Sequence, residues 1–317
     1  ELLQRIFPRD ISKVKKGRCS YQFACYHDGG IITDGLLLRI DENCYWFAQA
    51  DGDMLSWYKA NSEGLDVEIK EPNVFVSQVQ GPKSMELLDH LIDEPLANKW
   101  KYFDWVEITM AGEKVIISRT GFTNELGWEI YFRPENNTEK LGDLILEEGR
   151  KMGMIITATP SFRGRRIEAG LLSAGQDFSD ETNPFSVGLG RFVDLEKDNF
   201  IGKKALLNAN KECRSWGMRV VDGIAKKGRS IKINNQSIGK VTSSTWSPYQ
   251  VCGVGIVLLD KSDMGGPGTV VEVECTDEKI HKAELCKLPM YDPKGEIVRG
   301  INKKIPTKAE PWSGIKN

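Results

Sequence analysis

Two periods of apolar and polar residues alternate along this chain, and the switches between them mark out its elements. Arg18 to Tyr26 is strand-like and closes on the turn signal Asp28-Gly29-Gly30. Leu36 to Ile40 and Tyr45 to Ala48 continue the meander across the polar turn Asp41-Glu42-Asn43. Val74 to Gln80 (VFVSQVQ) has the period-two pattern of a half-buried strand. Gly81-Pro82 then opens a helix with Met85, Leu88, Leu91 and Ile92 at helical spacing, the proline suiting its first turn. Val115 to Ser118 and Glu129 to Phe132 read as paired strands around a glycine-bearing loop. Asn137-Thr138 caps a helix that carries Leu141, Leu144 and Ile145 and runs to Met152. A third helix covers Ser161 to Leu172, and the loop Gly175 to Pro184 after it is acidic and turn-rich.

Beyond Ala205 the texture changes to short strands broken by glycine: Ile231–Ile233, Ile238–Thr242, Val254–Leu259, Thr269–Val273 and Lys282–Leu288. Such a run predicts a small all-β barrel or sandwich, with the domain boundary near Leu206 to Lys211. The tail after Gly300, with Lys303, Lys304, Pro306 and Pro311, is polar and reads as extended. The fold class is therefore α+β. The opening Glu-Leu-Leu-Gln-Arg has the texture of a helix interior, so a truncated N-terminus is expected.

Composition narrows the function classes. The 317 residues are 40% hydrophobic and 28% charged, with a net charge of −2, as in a soluble two-domain protein. That balance gives no reason to expect a nucleic-acid or anionic-membrane partner. No apolar run approaches the roughly 20 residues needed to span a bilayer. Seven scattered cysteines without a C-x-x-C pair, and three histidines, argue against a zinc site or a disulfide framework and fit a reducing, cytoplasmic setting. There is no nucleophile elbow, P-loop or dinucleotide fingerprint; Gly188-Leu189-Gly190 reads as packing glycines. From the residues alone, an α+β enzyme and a binding module both stay open.

Six segments in order carry a family resemblance. Gly17-Arg-Cys-Ser-Tyr21 through Asp28-Gly-Gly-Ile-Ile-Thr-Asp34 resembles a folate-domain motif, G-x-x-x-Y…G-G-I-I-D-D-L. Arg119-Thr-Gly-Phe-Thr-Asn-Glu-Leu-Gly-Trp-Glu129-Ile resembles R-T-G-Y-T-G-E-D-G-F-E-I, and Arg166-Ile-Glu168-Ala-Gly resembles R-L-E-A-G. Phe200-Ile-Gly-Lys-Lys-Ala-Leu206, then Gly239-Lys-Val-Thr-Ser243, and finally Leu288-Pro-Met-Tyr-Asp-Pro293 complete the series. Over nearly its whole length the chain thus resembles the glycine-cleavage T-protein (aminomethyltransferase) family of tetrahydrofolate-dependent one-carbon transferases.

The resemblance implies three lobes around a central folate channel: a folate-binding domain over 1–205, itself two lobes split near 75, and a barrel over 206–317. It implies Asp34 as the catalytic carboxylate beside the folate nitrogens, Glu129 as the carboxylate that grips the pterin, and Tyr21 as a pocket wall. Gln49, Trp128 and Lys197 are further candidates for holding the cofactor, with Lys197 and Arg191 facing its anionic tail. The chemistry agrees with these roles. A carboxylate accepts a pterin amino group and the adjacent ring N–H as a bidentate pair, and a second one can hold a proton or positive charge at the reacting nitrogen. Glu168, among Arg163, Arg165 and Arg166, reads as an ion-pair partner rather than a catalyst. Trp46, Trp57 and Tyr58 could face a cationic donor, although core packing accounts for each of them as well.

Four places depart from the family pattern: Thr33 for the first Asp of the pair, Gly35 for leucine, Gln49-Ala50 for Asn-Ala, and Phe162 or Ser161 where an arginine is expected shortly before R-L-E-A-G. They make the chain resemble the family's demethylase branch, which moves a methyl group from a small donor to tetrahydrofolate. Methyl transfer is therefore the leading expectation. Aminomethyl transfer from a lipoyl carrier protein is the first alternative, and a non-catalytic folate-binding protein the second. The chain has Asn199-Phe-Ile-Gly-Lys-Lys204 where the folate-binding iron–sulfur-assembly factors carry G-C-Y-x-G-Q-E, which argues against the last of these.

Overall fold

The structure, a computed structural model, describes residues 1–96, 100–157, 159–304 and 308–315. Helix α1 (Leu2–Ile6) opens the chain and buries Leu2 and Ile6. β1 (Cys19–Cys25), β2 (Ile31–Arg39) and β3 (Tyr45–Ala48) form an antiparallel sheet in that order. β2 begins at Ile31 rather than Leu36, because the Ile31 N–H donates to the carbonyls of Thr182 (3.0 Å) and Ser179 (3.3 Å). A loop remote in sequence thus holds this segment extended, which no local pattern can reveal. Helix α2 (Met54–Ala60), capped by the Asp53 side chain, was not expected, and Met54 is its one fully buried residue.

The second sheet has the order β4-β7-β6-β5, from β4 (Phe75–Gln80), β5 (Trp105–Met110), β6 (Glu113–Ser118) and β7 (Gly127–Phe132). The expected β6–β7 pairing is present, with Ile117 opposite Ile130. β5 escapes sequence reading because its buried residues, Trp105, Ile108 and Met110, are irregularly spaced. Helices α3 (Ser84–Leu91) and α4 (Thr138–Lys151) cover one face of this sheet, around Leu88, Ile117, Ile130 and Leu141. Asn137 caps α4 as expected, accepting from the Lys140 N–H at 3.0 Å. The two sheets meet where the Cys19 N–H donates to the Phe103 carbonyl (2.7 Å) and the Trp105 N–H to that of Gly17 (3.0 Å).

Helix α5 (Thr159–Glu168) stops short of Leu172 because Gly170, at φ +68°, takes the left-handed conformation that ends helices. A short helix, α6 (Lys203–Asn208), precedes the barrel. Its strands are β8 (Ser215–Val220), β9 (Ser230–Ile233), β10 (Gln236–Ser247), β11 (Cys252–Leu259), β12 (Val270–Glu274) and β13 (Ile280–Cys286). They close in the order β10-β11-β8-β13-β12-β9 around Met218, Val241, Val257 and Leu285. No helix or strand occurs in the tail over 301–304 and 308–315; Pro306 lies outside the described residues.

A buried polar cluster joins α5 to the barrel. The Arg166 guanidinium, 2% exposed, ion-pairs with Asp177 and donates to the Leu171 carbonyl (3.1 Å) and Ser243 Oγ on β10 (2.8 Å). Asp177 also accepts from Thr242 Oγ1 (2.6 Å), Ser243 Oγ (2.7 Å) and the Ser173 N–H (3.0 Å). Nearby, Glu168 pairs with Arg165 at 2.6 Å and accepts from Ser247 Oγ, the structural role expected of it. A buried charge that loses its partner costs about 3–5 kcal/mol. Asp177→Ala is therefore expected to lower stability by about that amount, read as a fall in the urea midpoint at unchanged slope.

Candidate functional site

Antiparallel partners project to the same side of a sheet, so the β1–β2 register fixes what shares a face. Phe23 pairs with Asp34, Tyr21 with Leu36, and Cys19 with Leu38; β3 adds Ala48 and Trp46 opposite Leu36 and Leu38. This face turns towards the second sheet, where Tyr131 and Ile116 pack with Cys19, Leu38 and Trp46. The trough between the sheets has Asp34 towards one end. Glu129, on β7 on the same side as Tyr131, lies towards the other end, near Cys19. Burial first, and then the Glu129 carboxylate, push the Cys19 thiol up, which places that carboxylate beside the start of β1. From Asp34 to Leu38, the partner of Cys19, the strand advances about 13 Å.

Asp34 does not sit in a turn. It lies within β2, half-buried, and accepts a hydrogen bond on Oδ2 from the Tyr21 hydroxyl at 2.7 Å. Burial is the main influence and raises its pKa to about 6, while the Tyr21 hydrogen bond works in the opposite direction. The Tyr21 phenol is itself pushed well up, by burial and then by Asp34, so it remains a donor. Gly30, just upstream, has to be glycine, since a Cβ there would lie 2.0 Å from the Asp180 carbonyl oxygen.

Glu129 accepts from Thr120 Oγ1, which also shares a hydrogen bond with Ser118. Burial raises its pKa, and the Thr120 contact opposes that rise. With only one side-chain donor on it among the described residues, the carboxylate keeps acceptor capacity for a bidentate donor pair. Tyr102 lies within electrostatic reach of Glu129, its phenol pushed up to about 12 by burial first. The Arg119-Thr-Gly-Phe-Thr loop is set by Gln80, whose side chain accepts from Thr123 Oγ1 (2.8 Å) and donates to the Thr120 carbonyl (3.3 Å).

Two of the sequence-derived candidates stand elsewhere, and a third is engaged within its own loop. Trp128 projects from the opposite face of β7, is fully buried, and donates its indole N–H to the Ser84 carbonyl at 2.8 Å, so it belongs to the core under α3. Lys197 caps α1: its ammonium donates to the carbonyls of Gln4 (2.5 Å) and Phe7 (2.7 Å), and burial lowers its pKa to about 8. Gln49 ties its own loop, donating to the Gly52 carbonyl at 2.7 Å, and Asp51 of that loop raises the Asp34 pKa. Arg191 does stand at the site, close enough for its charge to act on the Tyr21 phenol. Thr120 and Tyr102, beside Glu129, and Phe192, whose ring packs 4.9 Å from that of Tyr21, were missed. Thr120 lay inside a quoted motif, whereas the other two come from segments without one.

The other aromatic candidates divide similarly. Trp57 packs edge-on to Tyr26 (5.2 Å between centroids), and Tyr58 joins Phe7 and Phe47 in the core beneath β2. Trp46 lies in the trough, 6.3 Å from Tyr131. All seven cysteines are unpaired thiols. Among the described residues, no cluster of histidine, cysteine or acidic side chains could hold a metal, and no helix is long and apolar enough to cross a membrane.

Known proteins resemble this chain in sequence and in fold. Residues 1–197 match the GCVT N-terminal domain and residues 214–292 the glycine cleavage T-protein C-terminal barrel domain. An aminomethyltransferase of Caldanaerobacter subterraneus is 34% identical over 281 residues, covering 86% of this chain and 74% of that protein. One of Bacillus subtilis is 33% identical over 299 residues, covering 91% and 82%. The crystal structure of the glycine cleavage system aminomethyltransferase T from Bartonella henselae superposes with a TM-score of 0.82 at 23% identity, over 92% of this chain and 81% of that one. The chain belongs to the glycine-cleavage T-protein family of one-carbon-group transferases.

Proposed function

We propose that the protein is an aminomethyltransferase that passes a one-carbon unit from a lipoyl carrier protein to tetrahydrofolate held between Glu129 and Asp34. The observation that carries this reading is the presence of two half-buried carboxylates on facing sheets, each with acceptor capacity to spare. Tetrahydrofolate would supply the nitrogen that takes up the one-carbon unit. Glu129 accepts the pterin amino group and its neighbouring ring N–H, and Thr120 fixes the orientation of the carboxylate. Asp34, oriented by Tyr21, holds a proton or stabilises positive charge at the reacting nitrogen.

The relatives favour aminomethyl transfer over the methyl transfer that the departures from the family pattern suggested. The structure gives those departures another explanation. Thr33 Oγ1 donates to the Asp51 carbonyl at 2.7 Å, and a Cβ on Gly35 would lie 2.4 Å from the Ala48 carbonyl oxygen, so both serve the β2–β3 connection. Neither needs a different donor to account for it.

The test is turnover of an aminomethyl-loaded lipoyl carrier with tetrahydrofolate, followed by mass spectrometry of the folate; unchanged folate would sink the proposal. Asp34→Asn should lower kcat by about 10²–10⁴-fold with folate affinity nearly intact. Glu129→Gln turns a donor group towards the pterin's donors and should weaken folate binding about ten- to a hundredfold, measured by titration. The ionised form of Asp34 is the active one, so the rate should climb with pH through an acid limb centred near 6. Tyr21→Phe removes the hydrogen bond that lowers this pKa and should move the limb to higher pH.

A further inference from the structure

The loop between β6 and β7 carries Thr120 near its start and leads into Glu129, so whatever holds this loop also sets the carboxylate. Helix α5 grips its middle at two points. Phe162 packs edge-on against Phe122, with 6.4 Å between ring centroids. One turn along α5, on the same side, Arg165 meets Glu125 one step further along the loop. Its Nε donates to Glu125 Oε1 at 3.0 Å, and Nη2 ion-pairs with the same oxygen. The guanidinium also donates through Nη1 to Glu168 Oε2 at 2.6 Å and stacks over the Tyr291 ring at 3.6 Å, in the segment that follows β13. That segment reaches the loop again where the Val298 carbonyl accepts from Arg119 Nη2 at 2.7 Å. Asp292 stiffens it by accepting from the N–H groups of Glu296 (2.9 Å) and Ile297 (2.8 Å).

The two acids depend on Arg165 unequally. Glu168 has further donors in Ser247 Oγ and Gln250 Nε2 (3.4 Å), whereas Glu125 has no other side-chain donor among the described residues. Arg165 and Glu125 keep only 23% and 19% of their side-chain surface exposed, so water screens the pair in part. A planar fork can bridge two carboxylates while its face stays stacked on a ring.

We infer that Arg165 is a positioning residue for folate recognition: through Glu125 it fixes the β6–β7 loop, and with it the orientation of Thr120 and Glu129. The inference rests on the reading that Glu129 accepts the pterin's donors. Gln80 holds the loop from within and Arg165 holds it from outside. A loop released on one side lets the Glu129 carboxylate turn, which costs affinity and leaves the proton chemistry at Asp34 alone.

The experiment measures tetrahydrofolate affinity by calorimetric titration, and kcat and KM in turnover of an aminomethyl-loaded lipoyl carrier, for wild type, Arg165→Gln, Glu125→Ala and the double variant. Glu125→Ala leaves buried Glu168 with all its donors, so it tests the loop without exposing an unpaired charge; urea midpoints report on folding. Each single variant should raise Kd and KM for tetrahydrofolate about tenfold, with kcat within about twofold of wild type. The acid limb near 6 should not move. The double variant should bind no more weakly than the weaker single one, as for two residues acting as a unit. Wild-type affinity in Glu125→Ala, whatever its urea midpoint, overturns the inference and leaves the pair a stabilising contact only. A large fall in kcat or a displaced acid limb also overturns it, because the effect then lies at Asp34. Additive losses in the double variant overturn the route through Glu125. Failure of the wild type to bind tetrahydrofolate overturns the folate reading itself, an outcome distinct from the others.

Discussion

The Arg166–Asp177 ion pair is the joint on which the rest of the molecule hangs. Its charges are wholly out of water, a costly placement that becomes tolerable only because the Thr242 and Ser243 hydroxyls and the Ser173 N–H complete the coordination of the carboxylate. The pair fixes α5, the following loop and β10 relative to one another. That loop also carries Ser179, Asp180 and Thr182, which receive the Ile31 N–H and press against Gly30. The start of β2, and with it Asp34, is therefore positioned through a chain of contacts beginning in the barrel. The barrel's influence on the site is mechanical: it sets where a strand of another lobe begins.

Two carboxylates of similar burial are kept distinct by their neighbours. Burial raises the pKa of Asp34 to about 6 against the hydrogen bond from the Tyr21 phenol, and Asp51 in the loop beside it adds a smaller push in the same direction as burial. Glu129 has a threonine hydroxyl whose own position is fixed by Ser118, and it presents an acceptor surface in a dry setting. One environment suits proton handling and the other suits recognition. In both, burial raises the pKa and a hydroxyl donor opposes the rise, so what differs is the other groups around each acid.

Much of this was legible in the chain. The alternation of VFVSQVQ, the Asn137 cap and the glycine-broken strands of the barrel all became the elements they promised, because each is decided by local preference. Asp34, Glu129 and Tyr21 were recognisable through motifs, and the structure brings Asp34 and Tyr21 into direct contact. What could not be read depended on distant partners. Lys197 looked like a ligand cation until α1 was seen to supply its carbonyls, and Trp128 looked like a pocket wall until strand alternation turned it into the core. The contacts of Arg165 with Glu125 and Tyr291 join three distant parts of the chain, and no spacing in the sequence announces them.

The Gln49 loop has a consequence of another kind. Its side chain satisfies the carbonyl of Gly52, so the loop is closed on itself and leans on the sheet mainly through Thr33. Asp34, by contrast, is woven into a strand whose neighbours on both sides are fixed. Insertions or exchanges in the loop can be absorbed without moving the strand. The loop can therefore change in length or sequence while the half-buried carboxylate of Asp34 keeps its place on β2.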